Sequence, residues 1–505
     1  MTARRAMKLP PELKPLPARQ FNEDCARHLL NRAGFGGTPA QVRALAGMGL
    51  QGAVDALVEY QDRPYADTVA EGFDPDIMVP LSQQEQQALA QARRSGDQET
   101  LQKFERERNR RQAADREQIR EMRKWWLKRM IESPRPLEEK MTLFWHGHFA
   151  NGHRTVEESW NMFQQNRLFR EHATGNFAGL VRKVIRDPSM IKYLDNDQNR
   201  RGSPNENLSR ELMELFTLGE GRGYTEQDIK EGARALTGLT FRDNQPFFNE
   251  GAHDSGRKTI FGYTGSFDAD GFVDLILAKP ECPRFICEKL YRFLVNDAPE
   301  GFSPSQEAFI QAAADHFVKQ KGELKPLLKA IFASEHFHHP GNRGAIIKSP
   351  VQLVVQAVRQ FHTPVRSLSV LSSACELMGQ NLFEPPNVKG WDGGRAWINT
   401  STLFTRQNLL VYLLTGRTPR DQAWESDDQG YSADHLVDAV RGAGDRVDPP
   451  EGVAWLMRCA LATAPEAPRT DTVLQSLTSR GMGMDNNGII EALCLITALP
   501  EYQLC

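Results

Sequence analysis

The chain has 505 residues, 40% of them hydrophobic and 25% charged, with a formal net charge of -3. At about 100–200 residues per domain, that length allows two to four domains or one large integrated body, and the composition excludes a chain disordered throughout. The near-neutral charge offers no global attraction to nucleic acid, so no such partner is expected, and without a run of about 18 uncharged apolar residues no membrane span is expected either.

Residues 1–82 read as an N-terminal helical segment. Met1–Lys8 is basic, but Leu9-Pro10-Pro11-Glu12 follows instead of an apolar run, so no signal peptide is read and the cytoplasm is the default compartment. A truncated or misassigned start would instead allow export to the periplasm. The spacing predicts a helix over 22–33 that ends at Gly34, a second one started by Thr38-Pro39, and an amphipathic third over 48–60.

Residues 83–135 read as a charged helical arm, broken into a hairpin at Ser95-Gly96-Asp97. From Leu101 to Met130 there are eleven Lys/Arg against five Asp/Glu. Acidic residues interleave with the basic ones and no aromatic platform runs through the stretch, which favours a solvated protrusion over a nucleic-acid arm. A central core over 136–417 follows, with helical patterns at 136–149, 157–193, 205–218, 225–238, 270–296, 304–335, 346–362 and 368–380. Lys258–Gly262 is the best strand candidate. Residues 384–400 form a Gly/Pro/Trp loop, and residues 418–505 a polar connection before a last helical segment. The fold class expected is all-α: a large helical body with a protruding charged hairpin.

Two blocks carry most of the candidate chemistry. On a helix over Asn205–Leu218, at about 100° per residue, Asn207, Glu211, Glu214 and Leu218 share a stripe beside the apolar face of Leu208, Leu212 and Leu215. Glu206 and Arg210 stand four residues apart on another. Carboxylates beside an apolar face are costly unless paired, protonated or metal-bound. Glu211 and Glu214 are therefore candidates for general acid/base catalysis or metal ligation, or members of a structural ion network. Asn207 and Arg210 are candidates for contacting substrate.

The second block is Trp145-His146-Gly147-His148-Phe149. His146 and His148 would chelate one divalent metal on extended chain. On a continuous helix they point about 200° apart, and Gly147 is where a helix would have to stop. Elsewhere, His253 and Asp254 suggest a base with its orienting acid, and Trp391, Arg395 and Trp397 a platform for substrate or a plug for the core. Seven scattered cysteines without a CxxC argue against a disulfide framework or zinc knuckle. No GxSxG, Walker A or HExxH motif occurs.

Taken together, several blocks resemble one bacterial family, domain-of-unknown-function family 1800. They are His28–Gly36, Lys140–Phe149, Asn205–Gly219 with Tyr224-Thr225-Glu226, Ala233–Gly238, His253–Lys258, Lys348-Ser349-Pro350 and Pro385–Trp397. The resemblance spans nearly the whole chain and implies a predominantly helical protein without an assigned activity. It also implies a genomic neighbour, domain-of-unknown-function family 1501, similar to alkaline-phosphatase-like hydrolases, and frequent export. Two functions follow as expectations. One is an enzyme with a His/carboxylate site, with a divalent metal ion as its possible cofactor. The other is a non-catalytic binding or assembly protein acting with that neighbour.

Overall fold

Helix ends fall where local chemistry puts them. Asn22, Thr38, Ser82, Asp97, Thr225, Ser303, Ser349 and Asn399 each accept a backbone N–H of the helix they precede, which satisfies one of the donors a helix start leaves open. The computed structural model describes residues 9–65, 72–419, 424–425, 427–441 and 447–505. The reading of Met1–Lys8 lies outside the described residues, as does part of the connection after 418.

The fold is predominantly helical, as the periodicity predicts. Twenty-four α-helices and two small antiparallel strand pairs stand among the described residues. Lys258–Ile260 pairs with Tyr263–Gly265, and Leu239–Arg242 pairs with Gln245–Phe248 through Asp243 and Asn244, both at positive φ. No described helix is long and apolar enough to cross a membrane. All seven cysteines are free.

The charged arm is a hairpin of Gln83–Ser95 and Gln98–Glu132, reversed at a left-handed Gly96. Its second helix changes character midway. Residues 98–114 are exposed or half-buried, whereas Ile119, Met122, Trp125, Trp126, Leu127 and Met130 are buried. The outer half is solvated and the inner half is core.

Two hydrophobic clusters make up that core. One gathers the N-terminal helices with Phe177–Ile185, Leu208–Leu218 and the helices between 269 and 337. The other gathers the inner arm with the helices from Pro350 to Thr497. The helix Pro136–His148 runs between them: Leu137, Met141, Phe144 and Trp145 pack into the first cluster and Leu143 into the second. Every residue of this helix except Gly147 is buried, as expected of a central helix with no solvent face. The site lies at its C-terminal end.

Candidate functional site: a cationic cavity between the two cores

The helix Pro136–His148 is continuous through both histidines, so they part. His146 Nε2 accepts the backbone N–H of Phe383 at 3.1 Å, while His148 Nε2 lies 3.0 Å from the carbonyl oxygen of Phe216. Burial pulls both rings down to about 3, helped at His148 by the charge of Lys289. Both are neutral at physiological pH, in opposite tautomers. His146 lies edge-on to Trp126 and tilted to Trp391. His148 stacks on Phe144.

The acidic helix is α-helical only over Asn207–Glu211; Leu212–Thr217 is π-helical. The wider turn is closed by Leu218 N–H on Met213 O and by Thr217 Oγ1 on Leu212 O, and it brings the Phe216 carbonyl to His148. Arg210 is the hub of an ion network, bridging Glu206 (3.1 Å), Glu214 (3.3 Å) and Glu226 (2.8 Å). Glu206 and Arg210, four residues apart on one stripe, thus pair, and Glu214 is taken up by the same guanidinium. Glu211 is half-buried; burial and the neighbouring Glu214 push its carboxyl above the usual range. Asn207 is exposed at the helix start, and its side-chain amide lies 3.5 Å from Asp195.

The remaining sequence candidates lie apart. Asp254 clasps Arg234 through 2.7 and 3.3 Å contacts and caps Gly256 N–H, which hold its carboxyl low. His253 Nδ1 meets the carbonyl oxygen of Thr237 at 2.8 Å. The acid therefore orients an arginine rather than the imidazole beside it in sequence. Arg395 reaches outward to Glu300. Among the described residues, no group of three or more His, Cys, Asp or Glu side chains is placed to hold a metal ion.

What the structure does bring together is a cavity of about 230 Å³ at the end of the central helix, lined by Arg32, Lys140, His148, Lys348, Trp391 and Trp397 among others. The Trp391 loop seals one side. Gly390 (φ +81°) and Gly394 (φ +51°) let it touch the helix end and Asp297; a Cβ at either would stand 2.2 Å from Gly147 O or Asp297 Oδ2. At Gly390, where the contact is with backbone, only glycine accommodates both the left-handed conformation and that approach.

The cavity is strongly cationic. Arg32 and Lys348 are fully buried and Lys140 nearly so, with Lys289, Arg292 and Lys389 around them; among the described lining residues Asp297, Asp392 and the negative charge at Cys505 oppose them. Arg32 uses Nη2 on the Asn342 carbonyl oxygen at 2.7 Å, but among the described residues its Nε and Nη1 have no hydrogen-bond partner. Lys348 Nζ also lacks one and sits 3.7 Å from the centroid of Tyr502. Lys140 donates to Gln352 Oε1 at 2.5 Å, between the rings of Phe35 and Phe293. Burial depresses both lysines, to about 8 for Lys140 and about 7 for Lys348, although a negative charge at Cys505 opposes it.

Sequence reasoning did not select Arg32, Lys140 or Lys348 as site residues, although each lies in a block used for the resemblance. The signal was present in two of them. Lys140 falls at helical spacing from Leu137 and Phe144, and Arg32 from Leu29, so each cation interrupts an apolar face, where an unpaired charge is costly.

These features define a class: a large helical protein whose two cores meet on a cavity walled by buried cations. The chain belongs to the DUF1800 family, described as a protein of unknown function, whose model matches residues 28–504. No curated protein and no solved structure matches it.

Proposed function

We propose that the protein binds a small organic anion in this cavity and acts on it there. The observation that carries the reading is the set of buried donors without hydrogen-bond partners, Arg32 Nε, Arg32 Nη1 and Lys348 Nζ, on one small tryptophan-walled space. Buried polar groups are almost always satisfied, and several cationic donors left open on one small space fit a site where a ligand supplies the partner. Glu211 supports a chemical role. It is a half-buried carboxyl held above its usual range by burial and Glu214, next to the cavity wall through its electrostatic contact with Lys389, and is suited to carry a proton.

Calorimetric titration with small carboxylates and phosphates tests the binding step. Saturable binding to the wild type is expected, weakened at least about tenfold by Arg32→Met or Lys348→Met, because each removes a charged hydrogen bond worth about 1.5–3 kcal/mol. Wild-type protein that binds none of them, or variants that bind equally well, would exclude the reading.

A second reading, assembly with the alkaline-phosphatase-like neighbour of family 1501, is supported by the exposed outer half of the arm, residues 83–111. Removing that segment should abolish co-purification of the co-expressed neighbour; retention of the complex counts against it.

A further inference from the structure

The tautomer of His148 is set by what it touches. Its Nε2 faces the Phe216 carbonyl oxygen at 3.0 Å, and a carbonyl only accepts, so Nε2 carries the ring proton. The ring lies among Phe144, Phe149, Phe216 and Phe285, surroundings that favour the neutral form. Nδ1 therefore bears a lone pair. That atom is buried, and no described residue donates to it, although His148 lines the cavity.

The residues that line the cavity thus carry two opposite unmet demands. Arg32 and Lys348 offer donors that only an acceptor, preferably an anion, satisfies. His148 Nδ1 is an acceptor that an anion cannot satisfy and would repel. Lys140 and Arg292 are committed elsewhere, to Gln352 and to the Asp297 and Ala298 carbonyls. A ligand that meets both demands has an anionic head and a hydroxyl a few atoms away. The volume of about 230 Å³ fits a small molecule.

Building on the anion-binding reading above, we propose that the ligand is a small hydroxylated anion, its charged head on Arg32 and Lys348 and its hydroxyl donating to His148 Nδ1. A hydroxycarboxylate and a hydroxylated phosphate monoester share this chemistry. A site built to bond a hydroxyl discriminates strongly against the analogue lacking it, because the buried acceptor is then left unpaired.

The test compares two matched pairs by calorimetry: lactate with propionate, and glycerol 3-phosphate with propyl phosphate. In at least one pair the hydroxylated member should bind about tenfold tighter or more. His148→Phe should erase that difference while the analogue lacking the hydroxyl still binds. A second readout needs no variant to fold: in ¹⁵N-labelled wild type, the unprotonated Nδ1 resonance of His148 should move to lower frequency with the hydroxylated ligand and not with its partner. Equal affinity within both pairs, or a preference that survives His148→Phe, overturns the hydroxyl assignment and leaves anion binding standing. No binding by any of the four overturns both.

Discussion

Lys348 shows how one residue sets both stability and affinity. In the folded chain its amine is pulled from 10.5 to about 7, chiefly by burial and further by Arg406, against the opposing negative charge at Cys505. The Tyr502 face offsets part of the cost of burying the charge. Between about pH 7 and 10.5 the unfolded chain holds the proton that the folded chain has released, so this group makes stability rise with pH across that window. Its full penalty is present below pH 7 and is gone above about 10.5. Lys348→Met should therefore stabilise the ligand-free protein by about 1–4 kcal/mol at pH 6, with the gain shrinking toward pH 10, as read by urea denaturation at several pH values. A gain independent of pH would exclude this account. Anion affinity has the opposite dependence: the free cavity loses charge at Lys348 and then at Lys140 (about 8). Affinity measured by calorimetry should fall at least about tenfold from pH 6 to pH 9, since a charge-assisted hydrogen bond is worth about 1.5–3 kcal/mol.

At the scale of elements, the cavity depends on a loop that only glycine can seat. Gly390→Ala would place a methyl 2.2 Å from Gly147 O at φ +81°. The left-handed backbone alone costs about 1–2 kcal/mol, and the contact cannot be kept, so the Trp391 loop must lift. We expect weakened anion binding and a changed tryptophan emission. Gly49→Ala (φ +69°), where a Cβ meets nothing within 4 Å, should show the backbone cost alone and bind normally. Equal effects of the two would contradict the close-approach argument. Much at this scale was legible in the sequence. The caps at Asn22 and Thr38, the Gly96 reversal and the loop over 384–400 follow from local residue chemistry. The Leu239–Phe248 hairpin was not read, although Asp243-Asn244 is the kind of dipeptide a two-residue turn at positive φ selects. The π-helical turn over Leu212–Thr217 was illegible for a different reason. Apolar spacing there fits an ordinary helix, and the side-chain bond of Thr217 to Leu212 O exists only once the turn has widened. In the same way, sequence spacing parted His146 from His148 and set Glu206 four residues from Arg210, but could not show that Glu226, sixteen residues beyond Arg210, shares the same guanidinium.

For the whole molecule, the seam between the two cores explains why the site residues come from Arg32, the central helix, Lys348 and the Trp391 loop, segments far apart in sequence. Periodicity reports burial within one element and says nothing of which buried cations meet across elements, so the cavity emerges only from the fold. The same distinction governs the arm. Its charge pattern is continuous from 83 to 135, yet the molecule divides it: the outer hairpin buries little, whereas Met122, Trp126 and Met130 are fully enclosed. The inner half is further fixed by buried polar contacts. His153 meets Asp115 at 2.5 Å, and Trp126 and Arg129 both donate to the fully buried Glu139. Replacing residues 83–111 with a short glycine–serine linker should leave the melting temperature nearly unchanged and anion affinity intact, because exposed residues contribute within about 0.5 kcal/mol each way. Extending the same deletion to Met130 removes six buried side chains, Ile119, Met122, Trp125, Trp126, Leu127 and Met130, worth about 2–5 kcal/mol apiece, and strands Glu139 with one arginine instead of two. That sum, about 12–30 kcal/mol, reaches or exceeds the roughly 5–15 kcal/mol by which a domain is stable, so the longer deletion should yield no folded protein by circular dichroism. Equal tolerance of the two deletions would mean that the inner half of the arm is not part of the core.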